Sequence, residues 1–180
     1  MIEIEYRWMV PIEVQRIREI DRTEEIRIGY VVQSGQLCKI DVNWDTPAFL
    51  LEGDGEHTIS HLVEFCLGHL RASGRIIGAT HGEKLVGVGA IRPNIRRGMA
   101  QLALLHVSNG FRRHGIGSHL SREMIKEAKA FGADRIYVSA TPSGSAVGFY
   151  ISQGFELIDD PIPELYKLEP EDIHMLKMLG

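Results

Sequence analysis

QLALLHVSNGFRRHGIGSHL, residues 101–120, is the stretch that decides the fold. It opens on a mostly apolar run, and residues 100–107 read as a strand covered on both faces. A polar loop follows with Arg112, Arg113 and His114, then glycines at 115 and 117. Ile116, Leu120, Met124, Ala128 and Phe131 recur at helical spacing up to Gly132, which predicts a helix beginning where the glycines stand. A helix start leaves backbone N–H groups unpartnered and carries partial positive charge from the aligned peptide dipoles. Phosphate is its natural complement. Glycine at 115 and 117 removes side chains that would hold a phosphate off the backbone, and Arg112 and Arg113 add charge and fork-shaped donors. The same residues also describe a tight turn with two solvated arginines, so the stretch alone leaves both readings open.

Two phosphate motifs fail here. Gly110 and Gly115 have Walker A spacing, but Ile116 and Gly117 stand where Lys and Ser/Thr are needed. The dinucleotide pattern fails because Leu120 occupies its third glycine position. Arg-x-x-Gly-x-Gly does fit, as Arg112, Gly115 and Gly117 after a strand ending in Val107. Downstream, AVGFYISQGFEL (residues 146–157) carries Ala146, Phe149, Tyr150, Gly154 and Phe155 in an Ala-x-x-Phe-Tyr-x-x-x-Gly-Phe pattern. On these two motifs, in this order with a strand between them, the chain resembles the GNAT superfamily of acyl-CoA-dependent N-acetyltransferases. The resemblance is specific over residues 98–158, architectural over 75–91 and weak before that.

The resemblance implies an α/β (α+β) fold: a mixed, mostly antiparallel central sheet flanked by helices, with splayed central strands. It implies acetyl-CoA as co-substrate, an amine as acceptor, and no metal. Arg112, Arg113, His114, Gly115, Ile116, Gly117 and Ser118 would cradle the pyrophosphate of coenzyme A. Leu105, His106 and Val107, at the splayed strand end, would pair with pantetheine and face the thioester through backbone groups. Phe149 and Ser143 would contact the cofactor, although relatives often carry Asn at the position of Ser143. Tyr150 matches the tyrosine that protonates the leaving thiolate. A phenol with a pKa near 10 stays protonated at neutral pH and can still give its proton up. Outside the motif Tyr150 would read as a packed aromatic beside Phe149.

The general base is not legible. Gln101 stands where some histone-acetylating relatives carry glutamate, and an amide cannot take the amine's proton. His106 either acts through water or is a packed histidine. Neither motif contains a cysteine to carry an acyl intermediate, so direct attack in a ternary complex is expected. A catalytically silent acyl-CoA sensor or partner-binding module on the same fold is the alternative.

Composition sets limits. A chain of 180 residues fits one domain, residues 1–180, able to bury a core without metals or disulfides. Hydrophobic residues at 44% and charged residues at 24% indicate an ordinary globular class, and a net charge of -4 argues against a nucleic-acid binder. Arg92, Arg96, Arg97, Arg112 and Arg113 lack interleaved aromatics for stacking bases. Cys38 and Cys66 form no metal-spacing pattern, and a reduced cytoplasmic chain is expected. His57 and His61 lie one helical turn apart without a following Glu or a third ligand, which argues against zinc. The opening MIEIEYRWMV has no basic start or long apolar run, so neither a signal peptide nor a membrane span is expected. The reading leaves room for a homodimer.

The remaining elements follow from periodicity. Ile2, Ile4, Tyr6, Trp8 and Val10 alternate as the buried face of a strand. A helix after Pro11 uses Val10, Val14, Ile17 and Ile20. Hairpins are expected over 26–32 with 37–42 and over 76–80 with 84–91, and a helix over 60–71. Residues 135–140 read as a strand, 143–153 as a helix capped by Gly154, and 155–158 and 174–178 as strands joined by a long link. RPNIRRGM (92–99) and residues 43–56 read as loops. The latter, with Asp41 before it, gathers Asp45, Glu52, Asp54 and Glu56 around Trp44 and Phe49. By resemblance it borders the acceptor cleft, which makes Trp44 and Asp45 candidate acceptor contacts and favours a cationic amine. The bland alternative is a solvated acidic loop.

Overall fold

The computed structural model describes residues 2–53, 55 and 57–180; Asp54 and Glu56, two of the acidic residues above, lie outside that set. The chain runs through β1 (Glu5–Trp8), a 3-10 helix (Pro11–Glu19), β2 (Glu24–Gln33), β3 (Gln36–Thr46), α1 (Ile59–Arg71), β4 (Arg75–His81), β5 (Lys84–Arg96) and β6 (Met99–Val107). It continues through α2 (Ile116–Ala130), β7 (Arg135–Ala140), α3 (Gly144–Ser152), β8 (Glu156–Leu157), α4 (Pro163–Leu168) and β9 (Ile173–Met178). Seven strands form one sheet in the order β1-β4-β5-β6-β7-β9-β8, and β2 and β3 form a separate hairpin. Among the described strand pairings of that sheet, β6–β7 alone is parallel.

A core lies on each face of the sheet. On one face α2 seats Ile116, Leu120, Met124 and Ala128 against Ile77, Val86, Ile136 and Val138. On the other, Val14, Ile17 and Ile20 join Leu62, Val63 and Cys66 of α1 over Ile76, Leu85, Val88 and Ala90. Each large side chain buried in this way contributes about 1.5–3 kcal/mol. Gly89 lets α2 approach closely, because a Cβ there would lie 2.6 Å from Met124 Cε.

Several expected boundaries shift for local reasons. The alternation of β1 ends at Trp8: the Met9 N–H donates to Ile76 O at 2.8 Å, Met9 turns inward, and Val10 is 53% exposed. Val14 and Ile17 within the 3-10 helix and Ile20 at its C-cap repeat every three residues, the period of that helix. The β2–β3 hairpin is longer than its apolar core, so Trp44 and Asp45 lie on a strand and not in a loop. The stretch expected as a loop at 92–99 continues β5 to Arg96 and turns at Gly98, whose φ is +71°. The long link near the C-terminus contains α4, a single short turn of helix with only Leu165 buried.

The decisive feature is the parting of β6 from β7. They pair only from Met99↔Arg135 to Gln101↔Tyr137. Beyond that β6 stays on β5 alone. A register shift opposite Ala90/Ile91 gives β6 one extra residue, a bulge. Ala100 and Leu102 are buried, whereas Leu105, His106 and Val107 are only half-buried along the gap, so the expected two-sided cover holds for the first half of β6 alone.

Candidate active site

The gap opens into a cleft of about 970 Å³. Its floor is Leu105, His106 and Val107, one end is the loop and helix start from Arg112 to Ser118, and one wall is α3 with Thr141 and Ser143 before it. The opposite wall comes from Arg22, the β2–β3 hairpin, Pro47 and His57. The hairpin is held there by main chain: the Tyr30 N–H donates to Pro142 O at 2.9 Å, and Gly29 bridges Ser143.

The loop before α2 turns through left-handed residues. Arg113 has φ +66° and Gly115 has φ +80°, both left-handed, and Gly115 serves as the N-cap of α2. Glycine fits that conformation without strain. The first helical bond runs from the His119 N–H to Gly115 O at 3.0 Å. The N–H groups of Ile116, Gly117 and Ser118 therefore have no helical acceptor, and all three residues line the cleft. At Gly117 an added Cβ would stand 3.4 Å from Phe149 Cε2 and 3.7 Å from Val107 Cγ2, inside the slot between those side chains.

Two neighbours of the cradle do something other than expected. Arg112 is not a free phosphate donor: its Nε donates to Val107 O at 3.1 Å, Nη2 donates to Arg22 O at 3.1 Å, and Nη1 lies 3.1 Å from Glu24 Oε2. It braces the end of β6 against the segment leading into β2. His114 lies outside the lining of the cleft, with Nδ1 2.8 Å from Arg112 O. Arg113 does line the cleft.

Tyr150 is buried at 6% exposure, edge-on to Phe149 and Phe155, and lines the cleft below the cradle. Its hydroxyl makes no hydrogen bond among the described residues and is not one of the fully buried unpartnered atoms, so it opens on the cleft. Burial, and secondarily the Asp172 carboxylate, push its pKa well above the usual range. Ser143 is the N-cap of α3: its Oγ accepts from the Ala146 N–H at 3.2 Å and lies 3.0 Å from Ser145 Oγ. Its hydroxyl is thus committed to the helix, while its backbone borders the cleft.

The acceptor side differs most from expectation. Asp45 lines the cleft, 3.6 Å from Arg27 Nη1. Trp44 is not brought to the cleft; its ring lies over Gly29, where an added Cβ would meet it at 3.1 Å. Asp41 and Glu52 do not line the cleft either. His106 does, with Phe49 edge-on at 5.5 Å. Desolvation, with Arg22 and Arg112 nearby, lowers its pKa to about 4, so its imidazole is neutral at physiological pH. Gln101 is buried outside the cleft, its Oε1 unpartnered. Arg22, Glu24 and His57 carry no signal in the sequence that marks them as site residues. They lie far from both motifs, and only the return of the chain over the end of β6 brings them in. Among the described residues no three His, Cys, Asp or Glu side chains converge as a metal site, and no helix is long and apolar enough to cross a membrane.

The profile of the acetyltransferase (GNAT) family matches residues 41–155. No curated protein matches the chain. Among solved structures, nourseothricin acetyltransferase superposes with a TM-score of 0.74 at 17% identity, covering 98% of this chain and 99% of that one. A Bacillus anthracis protein described as a streptothricin acetyltransferase, in complex with acetyl coenzyme A, gives 0.71 at 15% identity over 97% and 96% of the two chains. The PaiA N-acetyltransferase of Thermoplasma acidophilum, in complex with coenzyme A, gives 0.65 at 15% identity over 98% and 99%. At these identities the likeness is one of fold: a mostly antiparallel sheet flanked by helices.

Proposed function

The chain belongs to the acetyltransferase (GNAT) family, and on that premise we propose that it transfers an acetyl group from acetyl-CoA to an amine by direct attack in a ternary complex. The observation that carries the reading is a convergence on one cleft. Unpartnered helix N–H groups, an unpaired strand edge and a buried phenol without a protein partner all open onto it.

The pyrophosphate sits on the N–H groups of Ile116, Gly117 and Ser118, beside Arg113. Pantetheine follows the edge of β6 that β7 leaves free, and backbone groups near Leu105–Val107 meet the thioester carbonyl as charge builds on its oxygen. The neutral amine attacks the carbonyl carbon, forming the C–N bond, and the C–S bond breaks. Tyr150 gives its proton to the departing sulfur. Its raised pKa keeps that proton in place across the neutral range until the thiolate departs. The proton shed by the amine returns through water to the phenolate. His106, neutral but weakly basic, suits the relay of that proton better than its storage.

A thiol-release assay with acetyl-CoA over a panel of amines tests the reading. Amine-dependent release of free coenzyme A is expected. Acetyl-CoA binding without release to any amine would instead make the protein a silent acyl-CoA sensor.

A further inference from the structure

We propose that the acceptor is an amine that also carries a carboxylate, and that Arg22 is the residue that recognises it. The inference rests on the acetyl-transfer reading above. Arg22 stands across the sheet from the phosphate cradle. The cradle belongs to the face packed by α2, next to Phe149 and Val107. Arg22 lies over the ring of Phe49, its Cζ 4.7 Å from the centroid, and Phe49 belongs to the opposite face with α1. Phe49 in turn touches His106 on the cleft floor. Arg22 thus lines the cleft from the face opposite the cradle, the face left for a second substrate once coenzyme A fills the cradle.

Its main chain is fixed before any ligand arrives. Arg112 Nη2 holds Arg22 O, and the preceding Asp21 bonds Ser108 Oγ through its N–H at 3.0 Å and the Asn109 N–H through its carbonyl at 2.7 Å. The side chain is also oriented. Nε donates to Pro47 O at 2.7 Å, and Nη1 lies 3.2 Å from His57 Nδ1. A guanidinium has five N–H groups, so one on Nη1 and both on Nη2 remain, at the outer end of the group, where they can meet a carboxylate. No carboxylate among the described residues lies within ion-pair distance of Arg22. Desolvation without a counter-charge disfavours its charged form, and an incoming anion would reverse that.

The acidic groups of the same wall do not compete for this role. Glu24 is paired with Arg112, and Asp45 lies beside Arg27. A cationic acceptor, which the acidic composition of residues 41–56 suggested, would find the two carboxylates of the cleft's described lining, Glu24 and Asp45, already beside arginines, while an acid finds a cation with free donors. A guanidinium clamped on an aromatic face loses little freedom on binding, which favours affinity for a planar, two-oxygen partner.

The test compares free amino acids and dipeptides with their C-terminal amides as acceptors, in the wild type and in Arg22→Gln and Arg22→Lys. The wild type should prefer the acid by about 10–100-fold in kcat/KM, the range of a charge-assisted hydrogen-bond pair. Arg22→Gln should bring that ratio near unity through KM, and Arg22→Lys should restore part of it. Equal or better turnover of the amides by the wild type would overturn the inference, as would an undiminished acid preference in Arg22→Gln. If Arg22→Gln does not fold, the wild-type ratio and Arg22→Lys decide. A wild type that acetylates amines without acid preference refutes this inference and spares the transfer reading; no turnover with any amine refutes both.

Discussion

Gly117→Asp separates the phosphate cradle from the fold that holds it. The position lies in the first turn of α2, where a carboxylate favours the helix dipole by about 0.3–1 kcal/mol. Any residue other than glycine or proline also improves helix propensity, by up to about 1 kcal/mol. The nearest atoms to the new Cβ belong to Phe149 at 3.4 Å and Val107 at 3.7 Å, ordinary contact distances, so nothing there must move far. The folded state should be as stable as the wild type or slightly more so. The ligand fares differently. A carboxylate about 5 Å from a phosphate, at an effective dielectric of 20, repels it by about 3 kcal/mol. Displacing the phosphate also weakens its hydrogen bonds to the helix N–H groups, which adds to that cost. Calorimetry should show coenzyme A affinity down by at least about a hundredfold, while thermal melting shows an unchanged or raised midpoint. Gly117→Ala, which adds only the methyl, should lose far less. Wild-type affinity in the Asp variant would refute the placement of the pyrophosphate on α2.

Tyr150→Phe keeps the ring and its edge contacts but removes the proton; with chemistry rate-limiting, kcat should fall about a hundredfold or more while coenzyme A still binds. An unchanged kcat would return Tyr150 to the core. Arg112→Met should behave as loss of a brace, lowering urea-measured stability by about 2 kcal/mol and costing less coenzyme A affinity than Gly117→Asp; the reverse order would make Arg112 a phosphate ligand. Asp172 is raised from its ordinary 3.8 to about 7, first by desolvation and then by Glu169. The native state therefore keeps a proton that the unfolded chain releases, and stability falls as pH rises from about 4 to 7 and then levels. Asp172→Asn should be more stable than the wild type at pH 8, by on the order of 1–3 kcal/mol, with the gap closing toward pH 4; a pH-independent difference would contradict the assignment.

The residues that the sequence made legible are those whose role is written into a local pattern. Gly115 and Gly117 announce a bare helix start because backbone geometry there has no substitute, and the 3.6-residue recurrence from Ile116 to Ala128 fixes which side of α2 is buried. Trp44 and Asp45 were harder to place. Cys38, Ile40, Val42, Trp44 and Thr46 alternate with Lys39, Asp41, Asn43 and Asp45, so the strand was legible to its end, and the turn-prone Asn and Asp residues disguised it as a loop. Residues 92–96 hid because Pro93 and Asn94 read as turn residues, yet β5 continues through them to Arg96 with Asn94 at φ +52°. Arg112 shows a different limit. Its charge suggested phosphate, but the partners that engage it, Glu24 and the carbonyls of Arg22 and Val107, are set by tertiary contacts as many as 90 residues apart in the chain. Arg22 and His57 belong to no motif, and the fold alone reveals them.

The most direct test is a crystal structure of the protein with acetyl-CoA. The pyrophosphate should lie on the N–H groups of Ile116, Gly117 and Ser118. Pantetheine should run in the gap between β6 and β7, and the thioester sulfur should lie within about 3–3.5 Å of the Tyr150 hydroxyl. A coenzyme bound outside the gap, or a sulfur turned away from Tyr150, would contradict the account.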